Sequence, residues 1–132
     1  MMKPLQFGVY ALLIPAALAT PQTGAAHHSF AMFDATREVT VDGVVKEFRW
    51  NNPHVFIQLL ATGDGGTTDE WSIEMTSPEH LARAGWKPGA LKSGDKVKIV
   101  IHPTRVGSNA GQYVSGVTRD GTPIGAPHQA TP

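Results

Sequence analysis

Val39-Thr40-Val41-Asp42-Gly43-Val44-Val45-Lys46-Glu47-Phe48-Arg49-Trp50 alternates apolar and polar side chains on both sides of a glycine at which the phase changes. Alternation with period two marks a half-buried strand, and a glycine at a phase change marks a bulge or a sharp bend. The stretch therefore predicts one long strand bent at Gly43. Downstream, Asn51-Asn52-Pro53 reads as a turn, and His54-Val55-Phe56-Ile57-Gln58-Leu59-Leu60 as a nearly continuous apolar strand. Gly63-Asp64-Gly65-Gly66 turns the chain into Glu70-Trp71-Ser72-Ile73-Glu74-Met75, whose odd positions are apolar.

Beyond it, Ser77 stands as an N-cap before Pro78 and Glu79, and Gly85 closes the segment, which predicts a short helix over residues 78–84. Leu91-Lys92-Ser93-Gly94-Asp95 launches a further alternating strand over residues 96–102, and a last strand over 112–118 ends at the Asp120-Gly121 turn. Upstream, residues 31–37 read as an arm, with Phe30, Met32 and Phe33 available to tuck against the fold. The order of strand, strand, strand, short helix, strand, strand predicts an all-β domain: a five-stranded OB-like barrel, with a small open β-sandwich as the alternative. Val41, Phe48, Val55, Ile57, Ile73, Val97, Ile99 and Val117 are the expected lining.

Composition narrows the chemistry. The chain has 132 residues, 11 Lys plus Arg against 11 Asp plus Glu, and no cysteine. Disulfides, thiolate nucleophiles and thiolate metal sites are thereby excluded, so any metal must be held by nitrogen and oxygen. Fourteen glycines and ten prolines suit short elements joined by turns. The charge balance gives no pull toward polyanions, from which no nucleic-acid partner is expected.

Met1-Met2-Lys3 and the apolar residues 5–18 have the form of an export signal, too short for a convincing membrane span. Cleavage after Ala19, Ala25 or Ala26 satisfies the small-residue rule. The expected organisation is a signal peptide over residues 1–26, an OB-like domain over 27–125 and a disordered tail over 126–132. The mature protein is expected in the periplasm or outside the cell, without a membrane anchor, since lipidation would need a cysteine.

His27-His28-Ser29-Phe30, the Trp50-Asn51-Asn52-Pro53-His54 turn, and Gly85-Trp86 followed by Leu91-Lys92-Ser93-Gly94-Asp95 together resemble an uncharacterised family of small exported bacterial proteins, classed as a domain of unknown function. The resemblance runs from about His27 to the Asp120-Gly121 turn. It implies a secreted OB-like barrel and carries no functional residues with it.

Six histidines invite a metal reading. If the mature chain starts at Ala26, the amine, two backbone amides and the His28 imidazole make a square-planar nitrogen set suited to Cu(II) or Ni(II). If it starts at His27, amine and imidazole of that residue chelate copper, with His28 or His54 completing the set. The competing reading is a polar junction left by processing. In an OB-like barrel the turn holding Asn52, Pro53 and His54 and the loop bordered by His102 and Arg105 flank the usual binding face, so these five residues form a candidate ligand site. Asn52 and His54 can instead merely satisfy backbone groups freed by Pro53. Glu70 and Glu74 read as acids on a solvated strand face. Trp50, Trp71 and Trp86 suit core packing and a binding platform equally. No nucleophile elbow and no His-Glu-x-x-His helix occurs, so no catalytic residue is assigned. The expected function is a non-catalytic exported binding module without a resident cofactor, meeting a small molecule or a periplasmic protein. The alternative is a periplasmic copper-binding protein using His27, His28 and His54.

Overall fold

The computed structural model describes residues 30–125. The signal-peptide and tail expectations, and His27, His28 and His128, lie outside the described residues.

Five strands, β1 (Val39–Arg49), β2 (Phe56–Thr62), β3 (Thr68–Glu74), β4 (Lys96–Pro103) and β5 (Ala110–Thr118), close into a barrel in the order β1-β2-β3-β5-β4. All neighbours are antiparallel except β3 and β5, which run parallel along Ser72, Ile73 and Glu74. The closed OB-like barrel is thus present, and the open sandwich is not. Closure suits a short chain, because it lets five strands share one interior, with β3 and β5 joined by a ladder of three residues each.

Val41, Val45, Val55, Ile57, Leu59, Ile73, Val97, Ile99 and Ile101 fill that interior. Helix α1 (Pro78–Arg83) adds Leu81 to the same cluster. Its start is built as the sequence indicates: Ser77 caps it by accepting from the His80 amide at 3.3 Å, with Pro78 in the first turn. Beyond it Trp86 and Leu91 are buried with the barrel residues. Trp86 stands edge-on to Tyr113, with ring centroids 5.5 Å apart. Trp50 and Trp71 are half-buried against the cluster.

Three expectations about the strands are corrected. Gly43 is not the point where β1 changes phase. It pairs in step with Ala61 on β2 and with Val97 on β4, and the register shifts between Val45 and Glu47 instead. Val39, Val41, Gly43 and Val45 share one face, and the bulge lets two charged neighbours, Lys46 and Glu47, both stay exposed. What Gly43 provides is room: a Cβ there would stand 2.6 Å from the Leu60 carbonyl oxygen. Val117 is half-buried and opposite the exposed Lys98, so it faces outward. A second bulge, between Val100 and Ile101, shifts the phase of β5 so that Gly111, Tyr113 and Gly116 take the inner positions. Phe48 is half-buried rather than fully enclosed.

Candidate functional site

The arm decides the geometry of the expected binding face. Phe33 is buried and bridges to Thr104, while the Asp34 amide donates to the Pro103 carbonyl at 2.8 Å. Phe30 and Met32, expected to tuck in as well, stay exposed at 42% and 48%. Arg105 grips the arm three times. Its amide donates to the Met32 carbonyl at 2.9 Å, Nε donates to the Ala31 carbonyl at 3.3 Å, and its guanidinium stands 3.9 Å from the Asp34 carboxylate. His102 Nδ1 donates to the Arg37 carbonyl at 2.8 Å, which fixes the proton on that nitrogen. The loop between β4 and β5 is itself held by buried Thr104, whose hydroxyl accepts from the Ser108 amide at 3.1 Å.

At the other flank the Asn52–Pro53 peptide is cis, and both residues are exposed. His54 leans over the outer face of the sheet, where its Nδ1 donates to Glu74 Oε1. The imidazole is 24% exposed and the carboxylate 11%. The Phe30 ring lies 5.9 Å from the imidazole, centroid to centroid. His54, His102 and Arg105 therefore do not face one another across an open groove. Each meets a different part of the arm, through Phe30, Arg37 and residues 31–34 respectively.

Glu74 is the residue that sequence reasoning misplaced. It is buried, whereas Glu70 is exposed and paired with Lys46 at 2.8 Å. The signal lay in the β2–β3 hairpin. Its register sets Phe56 opposite Glu74, so His54, two residues before Phe56, belongs to the same face and lies diagonal to Glu74. Gln58 and Ser72 continue that face, joined by a 3.1 Å hydrogen bond. The pairing with Glu74 leaves His54 Nε2 as the nitrogen available to a ligand or a metal. Among the described residues no three His, Asp or Glu side chains are grouped to hold a metal ion.

A model of a family of unknown function, DUF6152, matches residues 16–113. The chain belongs to that family. No curated protein matches this DUF6152 chain. Two crystal forms of the mitochondrial single-stranded DNA binding protein Rim1 from S. cerevisiae are similar to it in structure. One is 9% identical with a TM-score of 0.47, covering 63% of this chain and 93% of Rim1. The other is 9% identical with a TM-score of 0.46, covering 70% and 98%. These neighbours correct the expectation that nucleic acid is not a partner. Both of these neighbours are single-stranded DNA binding proteins.

Proposed function

We propose that this DUF6152 protein is an exported, non-catalytic binding module whose ligand is taken where the Asn52-Pro53-His54 loop meets the arm that Arg105 holds in place. The observation that carries this reading is the part-buried His54–Glu74 pair with the Phe30 ring beside it. A carboxylate that holds one ring nitrogen presents the other in a fixed direction, and an aromatic neighbour supplies an apolar wall, which together suit recognition of a polar group on a larger body. The test has two parts. Intact mass of the exported protein should show a first residue between Thr20 and His27. The processed protein, equilibrated with a small-molecule extract of its own compartment, should retain compounds that His54→Ala and Arg105→Ala release at a temperature where both variants remain folded. Identical retention by all three proteins would remove the site.

A second reading, copper binding, is favoured by one contact. Phe30 follows His27-His28-Ser29 directly, and its ring is against His54. In this reading His27, His28, the terminal amine and His54 Nε2 would supply a nitrogen-rich set suited to Cu(II). Titration of the processed protein should give a visible d–d band at one equivalent. The band should be lost in His28→Ala if the chain starts at Ala26, and most weakened in His27→Ala if it starts at His27. Absence of a band at neutral pH would eliminate copper.

A further inference from the structure

Away from His54, the outer surface of β1, β2 and β4 sinks into an open hollow of about 530 Å³. Strand register builds it. Val44 stands opposite Leu60 on one side and Lys96 on the other, and Asp42 stands opposite Lys98. Val44 and Leu60 are half-buried and form the floor, while the Arg119 amide donates to the Lys96 carbonyl at 3.0 Å and so brings a third cation to the rim. In a chain with 11 basic and 11 acidic residues, this hollow gathers three of the former and one of the latter. Asp42 is shared with Lys98 at 3.6 Å. Glu70, opposite Leu60 on the next strand, is already taken by Lys46. Among the described residues Lys96 and Arg119 form no ion pair.

We infer that this hollow binds a small organic anion, a phosphate or carboxylate carried on an apolar body, with Lys96 and Arg119 on the oxyanion and Val44 and Leu60 under the body. Its volume is in the range of small-molecule sites. Two uncompensated cations beside an apolar floor favour a ligand that has both characters, since a bare ion leaves the floor wet and a neutral body leaves the cations unused. Among the described residues no aromatic side chain lines the hollow, so they offer it no stacking platform of the kind that single-stranded nucleic acids use. The site is separate from the His54 end: Leu60 lies four residues along β2 from Phe56, about 13 Å.

The experiment is an amide-resolved NMR titration of the full processed protein with phenyl phosphate, in parallel with inorganic phosphate and an oligothymidylate. Phenyl phosphate should shift Val44, Leu60, Lys96, Lys98 and Arg119 and leave His54 unmoved. Lys96→Ala and Arg119→Ala should each weaken binding about tenfold, and added salt should weaken it further. Both side chains are exposed, so the variants should melt as the parent does. Leu60→Thr should lower affinity for phenyl phosphate and not for inorganic phosphate. The inference is overturned by absence of saturable shifts at roughly 10 mM probe, by phenyl phosphate binding that ignores Lys96→Ala, or by inorganic phosphate binding equally well. Tighter binding of oligothymidylate through the same residues would also overturn it, making the occupant a nucleic acid.

Discussion

His54 and Glu74, twenty residues apart in sequence, are joined on the outside of the barrel by a hydrogen bond from imidazole Nδ1 to carboxylate Oε1. Each is mostly withdrawn from water, so removing one leaves a poorly solvated polar atom on the other. Glu74→Leu should destabilise by about 1–3 kcal/mol. The double replacement His54→Leu/Glu74→Leu should cost less than the two single changes combined, a coupling measurable in denaturant melts. Additive losses would mean that the two side chains act independently.

Gly43 gives a test of the strand reading. Its φ is outside the left-handed region, so the obstacle to a side chain is the Leu60 carbonyl rather than backbone strain. Gly43→Ala should already destabilise, and Gly43→Val should do so by about 1–3 kcal/mol as β1 and β2 are forced apart. Unchanged melting of Gly43→Val would show that the strands can separate there without loss.

The arm should respond to acid. The Thr36 hydroxyl and amide, donating to Asp34 at 2.6 Å and 3.1 Å, hold the Asp34 carboxyl below its ordinary value, and Arg105 and Arg37 add to the effect. A value lowered by folding stabilises the folded arm fully above the unfolded carboxyl's range, about pH 4, and the contribution is lost as pH falls through the folded value. The Thr36 and Arg105 amide signals should therefore move together on acidification below the ordinary aspartate range, about pH 4. Asp34→Asn should abolish that movement.

Trp86 should be the costliest tryptophan to lose. It is 7% exposed and packs on both Tyr113 and Phe48, and the same burial pushes the Tyr113 phenol well above its usual range. Trp86→Ala should destabilise by about 3–5 kcal/mol, against smaller losses for the half-buried Trp50 and Trp71. Equal losses in chemical denaturation would contradict the packing described.

The elements were legible because their signals are local. Alternation announced the strands, and Ser77, Pro78 and Gly85 marked the helix within a residue of its observed end. What escaped depended on register or on distant partners. The adjacent valines 44 and 45 leave the phase of β1 ambiguous by themselves, and pairing with β2 and β4 resolves it. Val117 lost its inward place to a bulge on β5 that no residue nearby announces. Glu74 resembles Glu70 in every local respect, yet His54 stands over one and Lys46 reaches the other. Arg105 was visible as a cation in a loop, but its partner is a segment 74 residues upstream.

The parallel contact of β3 with β5 makes Glu74 serve two purposes. Glu74 is opposite Gln112 in that short ladder, so the residue holding His54 is also a tooth in the zip that shuts the barrel. If the ladder parts, β5 remains attached to β4 while Glu74 stays paired with Phe56 on β2, and the molecule relaxes toward a curled open sheet in which Glu74 loses one of its two flanking strands. A ligand taken at His54, as proposed, would be linked to the integrity of the cylinder through Glu74. Such a ligand should slow amide exchange at Gly111 and Gln112, on the strand beside Glu74.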